Sequence, residues 1–126
     1  DYRYGWDFMN DKHREYISNV QTIFKPIVKI SSPECRLWTA MCNMRGAGVA
    51  ATERQEEFPT IEWLFNDNVK QYGDGHGYIN ENGLRSQIWT QSPLKQNVII
   101  ANNKTRRANG CAHGCVNADN QPLEKP

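Results

Sequence analysis

Apolar residues recur at helical spacing in two stretches of this chain. The first stretch predicts a helix from Asp11 to Phe24, which Pro26 ends because proline cannot continue a helix. The residues that fall on one side of this helix are Ile17, Val20, Ile23 and Phe24. Such a stripe is typical of a helix that packs against a core.

The second stretch contains the clearest helix, which we predict from Thr60 to Tyr72. Its apolar positions recur every three or four residues, as they do in a helix with one buried side. We therefore expect Leu64 and Phe65 to be buried. On the other side of the helix, Glu62 and Asp67 should be exposed.

A third helix is predicted between these two, from Pro33 to about Met44. Ser32 can cap its first turn, and proline is favoured at the first helical position. Its apolar side is formed by Leu37, Trp38 and Met41. The preceding segment PIVKISS is predicted to be a short extended link, and residues 46–58 to hold one brief helical turn.

After residue 73 the apolar pattern changes to that of strands. The segment YINENGLRSQIW predicts a hairpin with Asn82 and Gly83 in its turn, and a second turn follows at Ser92 and Pro93. The three strands are placed at about 77–80, 84–91 and 96–102. The predicted fold class is therefore α+β, with N-terminal helices packed on a small three-stranded antiparallel sheet in a single domain, residues 1–126.

Four cysteines occur in two close pairs, Cys35 with Cys42 and Cys111 with Cys115. On a helix, seven residues separate two Cα atoms by ~10 Å. A disulfide needs about 4.4–6.8 Å between Cα atoms, so the first two cysteines cannot bond to each other while they are helical. We expect two disulfides that staple this helix to the C-terminal tail. Reduced thiols, or a metal site that includes His113, are the alternatives.

Composition narrows the classes of function. The 126-residue chain carries a net charge of +1, which gives no overall field to attract nucleic acid, and we expect none as partner. No apolar run approaches the ~18 residues that predict a membrane span. The chain begins at Asp1 without a methionine, which together with four cysteines favours a secreted, periplasmic or extracellular protein.

The leading interpretation is a small binding domain for a protein or glycan partner. Aromatic side chains at a surface suit sugar stacking and protein contacts. The residues expected to contact the partner are Tyr2, Tyr4, Trp6, Trp63, Lys104, Arg106 and Arg107. No phosphate-binding glycine motif and no paired-histidine metal motif is present in the sequence, so no cofactor or metal is expected.

A hydrolase is the alternative interpretation. A helix N-terminus and Arg36 would favour the thiolate form of Cys35, with His76 as its base and Gln87 or Asn80 orienting the histidine. This order of elements, carried by SPECRLW and GDGHGYI, resembles that of papain-like amidases of the cell-wall type. Glu34 stands where that family usually has an aspartate. The resemblance implies a small cysteine hydrolase.

Two further chemistries have weaker support in the sequence. A secreted nuclease could combine His76 with the basic loop around Arg106. A glycosidase needs two carboxylates across a cleft, for which Glu56 with Glu57, or Glu62 with Asp67, are available.

Overall fold

The computed structural model describes residues 5–34, 36–39, 42, 47–83 and 85–96. Its α-helices are α1 (Asp11–Phe24), α2 (Ala47–Gly73) and α3 (Ile88–Gln91). Its strands are β1 (Val28–Ser31) and β2 (Gly77–Asn80), and Arg36–Trp38 form a 3-10 turn.

Helix α1 has the bounds that the sequence predicts. The Asn10 side chain caps it by accepting a hydrogen bond from the Lys12 N–H at 3.0 Å. Lys25 ends it in the left-handed conformation, with φ 45°, and donates its N–H to the Gln21 carbonyl at 2.8 Å. The predicted apolar stripe is wrong in its last turn, because Ile23 and Phe24 are exposed.

Strands β1 and β2 pair in parallel, with Ile30 opposite Ile79. Parallel strands require a crossover connection, and α2 provides it. The three-stranded antiparallel sheet is therefore wrong, although β2 lies at the predicted residues 77–80. Its partner is the PIVKISS segment, which the sequence had predicted to be only a link.

The second predicted strand, 84–91, is replaced at its end by helix α3. Serine side chains on both sides satisfy the backbone of this short helix. The Ser92 hydroxyl donates to the Ile88 carbonyl at 2.6 Å, and the Ser86 hydroxyl accepts from the Ile88 N–H at 3.4 Å. The third predicted strand lies outside the described residues from position 97 onward.

Helix α2 begins thirteen residues before the helix predicted from Thr60 and contains Pro59. Proline removes a backbone N–H from a helix interior and so opposes a continuous helix at this position. The buried residues of α2 nevertheless recur at helical spacing on both sides of the proline, while Pro59 itself is exposed. They are Ala50, Glu57, Ile61, Leu64, Asn68 and Gln71. Burial of this continuous stripe outweighs the local penalty.

The predicted helix from Pro33 to about Met44 and the predicted disulfides to the C-terminal tail are also wrong. Arg36–Trp38 form a single 3-10 turn instead of the first turns of an α-helix. Cys42 packs in the apolar core, and within the part of the chain that the structure describes no cysteine lies at disulfide distance from another. Cys35, Cys111 and Cys115 lie outside the described residues.

The apolar core lies between α2, the 3-10 turn and α3. Its members are Leu37, Trp38, Cys42, Ala50, Ile61, Leu64, Ile88 and Leu94. The sheet is attached to α2 by polar contacts instead. The Gln71 amide donates to the carbonyls of Pro26 at 2.6 Å and Gly77 at 3.1 Å, which joins the segment before β1 and the first residue of β2 to this helix. A cleft opens between α1, β1 and α2.

Candidate binding cleft

The cleft has a volume of about 670 Å³, within the range of ordinary ligand sites. Its lining comes from residues 6–9, α1, β1 with the link that follows it, and α2. The apolar part of its wall includes Ile17 and Ile30, with Ile61 and Leu64 of α2 behind them. Aromatic rings and carboxylates complete the lining.

Three aromatic side chains, Trp6, Phe8 and Trp63, line the cleft. The rings of Phe8 and Trp63 stack with centroids 5.7 Å apart and 17° between their planes. The Trp6 ring leans on Tyr16 of α1, with centroids 5.2 Å apart. All three aromatic residues lining the cleft are half-buried, so each keeps an accessible surface.

Hydrogen bonds hold the segment before α1 in this position. The Phe8 carbonyl accepts from the Arg14 guanidinium at 2.6 Å and from the Thr60 hydroxyl at 2.8 Å. Trp63 is fixed from the other side, because its indole N–H donates to the Ser18 hydroxyl at 3.0 Å. The aromatic lining of the cleft is therefore held in place by α1 and α2 together.

The cleft is acidic. Six carboxylates line it, against two cationic side chains, Lys29 and Arg36. The carboxylates are Asp7, Glu34, Glu53, Glu56, Glu57 and Asp67. Arg36 pairs with Glu34 at 2.8 Å, and Lys29 pairs with Asp67.

Glu57 is the buried carboxyl of the cleft, with only 7% of its surface exposed. It accepts a hydrogen bond of 2.6 Å from the indole N–H of Trp38, itself part of the core. Burial raises the pKa of Glu57 above its ordinary value, and the hydrogen bond from Trp38 offsets part of this effect. The Arg54 guanidinium lies over the Trp38 ring, 5.8 Å from its centroid.

Lys29 and Asp67 form an ion pair in another part of the lining. Their side chains are 10% and 9% exposed, and the Lys29 ammonium donates to the carboxylate. Burial lowers the pKa of Lys29, while its hydrogen bond to Asp67 acts in the opposite direction. The prediction that Asp67 is exposed is wrong because β1 brings Lys29 against it, whereas Leu64 is buried and Glu62 exposed as expected.

The predicted contact residues separate into two groups. The structure brings Trp6 and Trp63 into the same cleft, although they are far apart in sequence. The other predicted contacts lie outside the described residues: Tyr2, Tyr4, Lys104, Arg106 and Arg107.

The described residues of the hydrolase interpretation, His76, Gln87 and Asn80, do not line this cleft. His76 lines a smaller cavity of about 260 Å³ with Lys25, Lys70 and Asp74. The Gln87 side chain accepts a hydrogen bond from the Arg54 guanidinium at 2.7 Å. Arg54 in turn lies over the ring of Trp38, a core residue. Cys35 lies outside the described residues, so the proposed nucleophile stays untested.

Sequence reasoning placed Glu57 among the carboxylates but did not recognise it as buried. A signal was available, because Glu57, Ile61 and Leu64 follow one another at spacings of four and three. No such signal in the sequence indicates that Lys29 is buried, because its contact with Asp67 depends on the pairing of β1 with β2, which was not predicted.

Within the described ranges, no group of three metal-ligating side chains could hold an ion, and none of the helices is long and apolar enough to cross a bilayer. Comparison with protein families, curated proteins and solved structures finds no match to this chain.

Proposed function

We propose that this chain is a binding domain that holds part of a protein or glycan partner in the cleft between α1, β1 and α2. The observation that carries the proposal is that Trp6 and Trp63 both line this cleft. Large rigid aromatic side chains bind with little loss of conformational entropy, and they dominate the energetics of many interfaces.

The carboxylates that line the cleft add hydrogen-bond acceptors to the surface offered by the aromatic side chains. Ionised carboxylates accept hydrogen bonds from sugar hydroxyls, peptide N–H groups and cationic side chains alike. A cleft lined by both stacking surfaces and hydrogen-bond acceptors suits both partner classes, because each offers donors beside an apolar face.

One carboxylate pair of the cleft, Glu57 with Asp67, does not suit glycoside hydrolysis. Glu57 and Asp67 both line the cleft, but ten residues of α2 separate them, which is ~15 Å along a helix axis. Glycosidase carboxylates lie roughly 5–9.5 Å apart. Asp67 is in addition neutralised by Lys29. Asp67 therefore cannot act together with Glu57 as the second catalytic carboxylate of a glycosidase.

The test is a screen of the full chain on glycan and peptide arrays, followed by calorimetric measurement of Kd for the strongest hit. Trp6→Ala and Trp63→Ala should each weaken binding by about 10-fold or more, since truncation of a central aromatic residue often costs ~2 kcal/mol. Trp89→Ala is the matched control, because this half-buried tryptophan packs on the core and does not line the cleft.

Circular dichroism must show that each variant folds. A hit whose affinity is the same in the wild type and in both folded cleft variants would place binding elsewhere. A loss of affinity in Trp89→Ala as large as in Trp6→Ala would show that the effect is structural.

A further inference from the structure

The cleft between α1, β1 and α2 is negatively charged, although the chain as a whole is not. The described residues that line it include six carboxylates and two cations, which gives a formal charge of −4. The whole chain has a net charge of +1. A cleft lined by one sign of charge concentrates the electric field and attracts ligands of the opposite sign. This charge distribution favours a cationic ligand.

The hydrogen-bonding groups of the lining point to the same class of ligand. A hydroxyl or an indole has one hydrogen to donate, and four such side chains of the cleft already donate it within the protein. They are Ser31 to Asn80 at 2.6 Å, Ser32 to Glu81 at 2.6 Å, Thr60 to the Phe8 carbonyl at 2.8 Å and Trp63 to Ser18 at 3.0 Å. The cleft therefore offers a ligand more acceptors than donors. Arginine and lysine side chains only donate, whereas a sugar hydroxyl also accepts.

Glu57 lines the cleft as a buried carboxyl that takes part in no ion pair between described residues. Those ion pairs join Lys29 to Asp67 and Arg36 to Glu34. Burial raises the pKa of Glu57, and the negative charge of Glu34 adds to this effect. A cation bound in the cleft would offset the repulsion between these two carboxylates.

Aromatic rings lie near the carboxylates of α2. Glu56 is seven residues before Trp63 on this helix, which is ~10 Å along the axis. The Phe8 ring stacks on Trp63, with centroids 5.7 Å apart. A guanidinium stacks on aromatic faces and also binds a carboxylate through two parallel N–H bonds, whereas the ammonium of lysine is a point charge. Arginine is therefore the side chain that suits both kinds of group.

We propose that the partner segment held in the cleft is a basic stretch of a protein, whose arginine side chains contact Glu56, Glu57 and the aromatic rings. The inference rests on the proposed binding function and selects a protein partner over a glycan. Arginines at alternate positions of an extended peptide lie on one face, ~7 Å apart. Two of them can therefore reach the carboxylates and Trp63 at the same time.

The test is calorimetric titration of the full chain with three probes. The first is an acetylated and amidated peptide of three Gly-Arg repeats, and the second carries citrulline, which has the shape of arginine without its charge, in place of each arginine. The third is a hexamer of N-acetylglucosamine. The arginine peptide should bind with a Kd below about 100 μM. The citrulline peptide should bind at least about 10-fold more weakly, because charge-assisted hydrogen bonds are lost.

The combined variant Glu56→Gln with Glu57→Gln should weaken binding of the arginine peptide by about 10-fold, since it removes two charges and keeps hydrogen-bond acceptors in their place. Glu62→Gln is the matched control, because Glu62 is an exposed carboxylate of α2 that does not line the cleft. It should leave the Kd unchanged. Circular dichroism must show that both variants fold.

Equal affinity for the arginine and citrulline peptides overturns the inference, as does the absence of binding by the arginine peptide at about 1 mM. An equal loss of affinity in Glu62→Gln and in the cleft variant also overturns it. Tighter binding of the sugar hexamer, weakened by Trp6→Ala and Trp63→Ala, would replace the protein partner by a glycan and leave the proposed binding function standing. That function itself fails only if neither tryptophan variant weakens any ligand found on the arrays.

Discussion

Glu57 carries a carboxyl into the buried side of α2, where the Trp38 indole is its hydrogen-bond donor. A buried acceptor of this kind satisfies a core tryptophan and at the same time lines the cleft. The charge state of Glu57 therefore couples the stability of the fold to the electrostatics of the cleft.

Replacement of Glu57 by glutamine should reduce the pH dependence of stability. The folded protein holds the Glu57 proton to a higher pH than the unfolded chain does, because burial raises the pKa from its ordinary value of 4.5. The contribution of this residue to the free energy of unfolding is therefore complete below pH 4.5 and falls as the pH rises through the raised pKa. The measurement is urea unfolding from pH 4 to 8.

Glu57→Gln keeps an oxygen that can accept a hydrogen bond from Trp38, but it carries no titrating group at this position. As the pH rises, its free energy of unfolding should therefore increase relative to that of the wild type. Glu56→Gln is the control, because Glu56 is exposed on the same helix. If the wild type and Glu57→Gln keep a constant difference across this range, Glu57 does not titrate differently in the folded state.

The ion pair between Lys29 and Asp67 is the second interaction at the scale of single residues. Removal of one partner from a buried ion pair leaves an uncompensated charge, which typically costs about 3–5 kcal/mol. We expect Asp67→Ala to lower the free energy of unfolding by this amount. The double variant Lys29→Met with Asp67→Leu should lose far less, because no charge stays buried. Denaturant unfolding of the set checks both expectations.

Arg36 with Glu34 provides the matched pair for comparison, since both side chains are 55% exposed. Glu34→Ala should change the free energy of unfolding by less than about 1 kcal/mol. Equal losses for Glu34→Ala and Asp67→Ala would contradict the difference in burial between the two ion pairs.

At the scale of the elements, α2 connects every other part of the described fold. Its buried stripe packs against the 3-10 turn and α3, its polar residues hold the sheet, and its Trp63 stacks on the segment before α1. A helix of 27 residues that continues through Pro59 must be maintained by these contacts, because local preference opposes it at the proline.

Pro59→Ala should therefore stabilise the protein by about 1–2 kcal/mol. It restores an N–H that can bond to the Gln55 carbonyl, a gain of up to ~3 kcal/mol. The greater flexibility of the unfolded alanine chain removes about 0.4–1 kcal/mol of this gain. Thermal and urea unfolding measure the difference.

Gln55→Ala is the control and should change stability by less than about 0.5 kcal/mol, because both residues favour helices. If Pro59→Ala destabilises the protein, the bend that proline imposes on α2 is itself part of the packing.

At the scale of the whole molecule, Ile30 brings β1 into the wall of the cleft, together with Ile17 of α1 and Leu64 of α2. Ile30→Lys should therefore weaken binding of the ligand found on the arrays. Ile79→Lys is the control and should leave the affinity unchanged, because Ile79 does not line the cleft. Calorimetry measures Kd for both variants; equal ligand affinity in the two would show that Ile30 does not contact the ligand.

Local signals in the sequence determined the elements that depend on neighbouring residues. The cap at Asn10 and the proline at Pro26 lie within two residues of the ends of α1, and both bounds of this helix were predicted. The position of β2 and the C-terminal half of α2 follow from periodicity in the same way. Such signals act within one or two turns of chain, so they can be found in the sequence alone.

The tertiary structure alone decided which distant segments meet. The pairing of β1 with β2, the burial of Lys29 against Asp67 and the placement of Trp6 and Trp63 in one cleft each involve residues separated by most of α2 or more. These arrangements are selected by burial and strand pairing between distant segments, which no local pattern encodes. They produce the cleft, the feature from which the binding function is proposed.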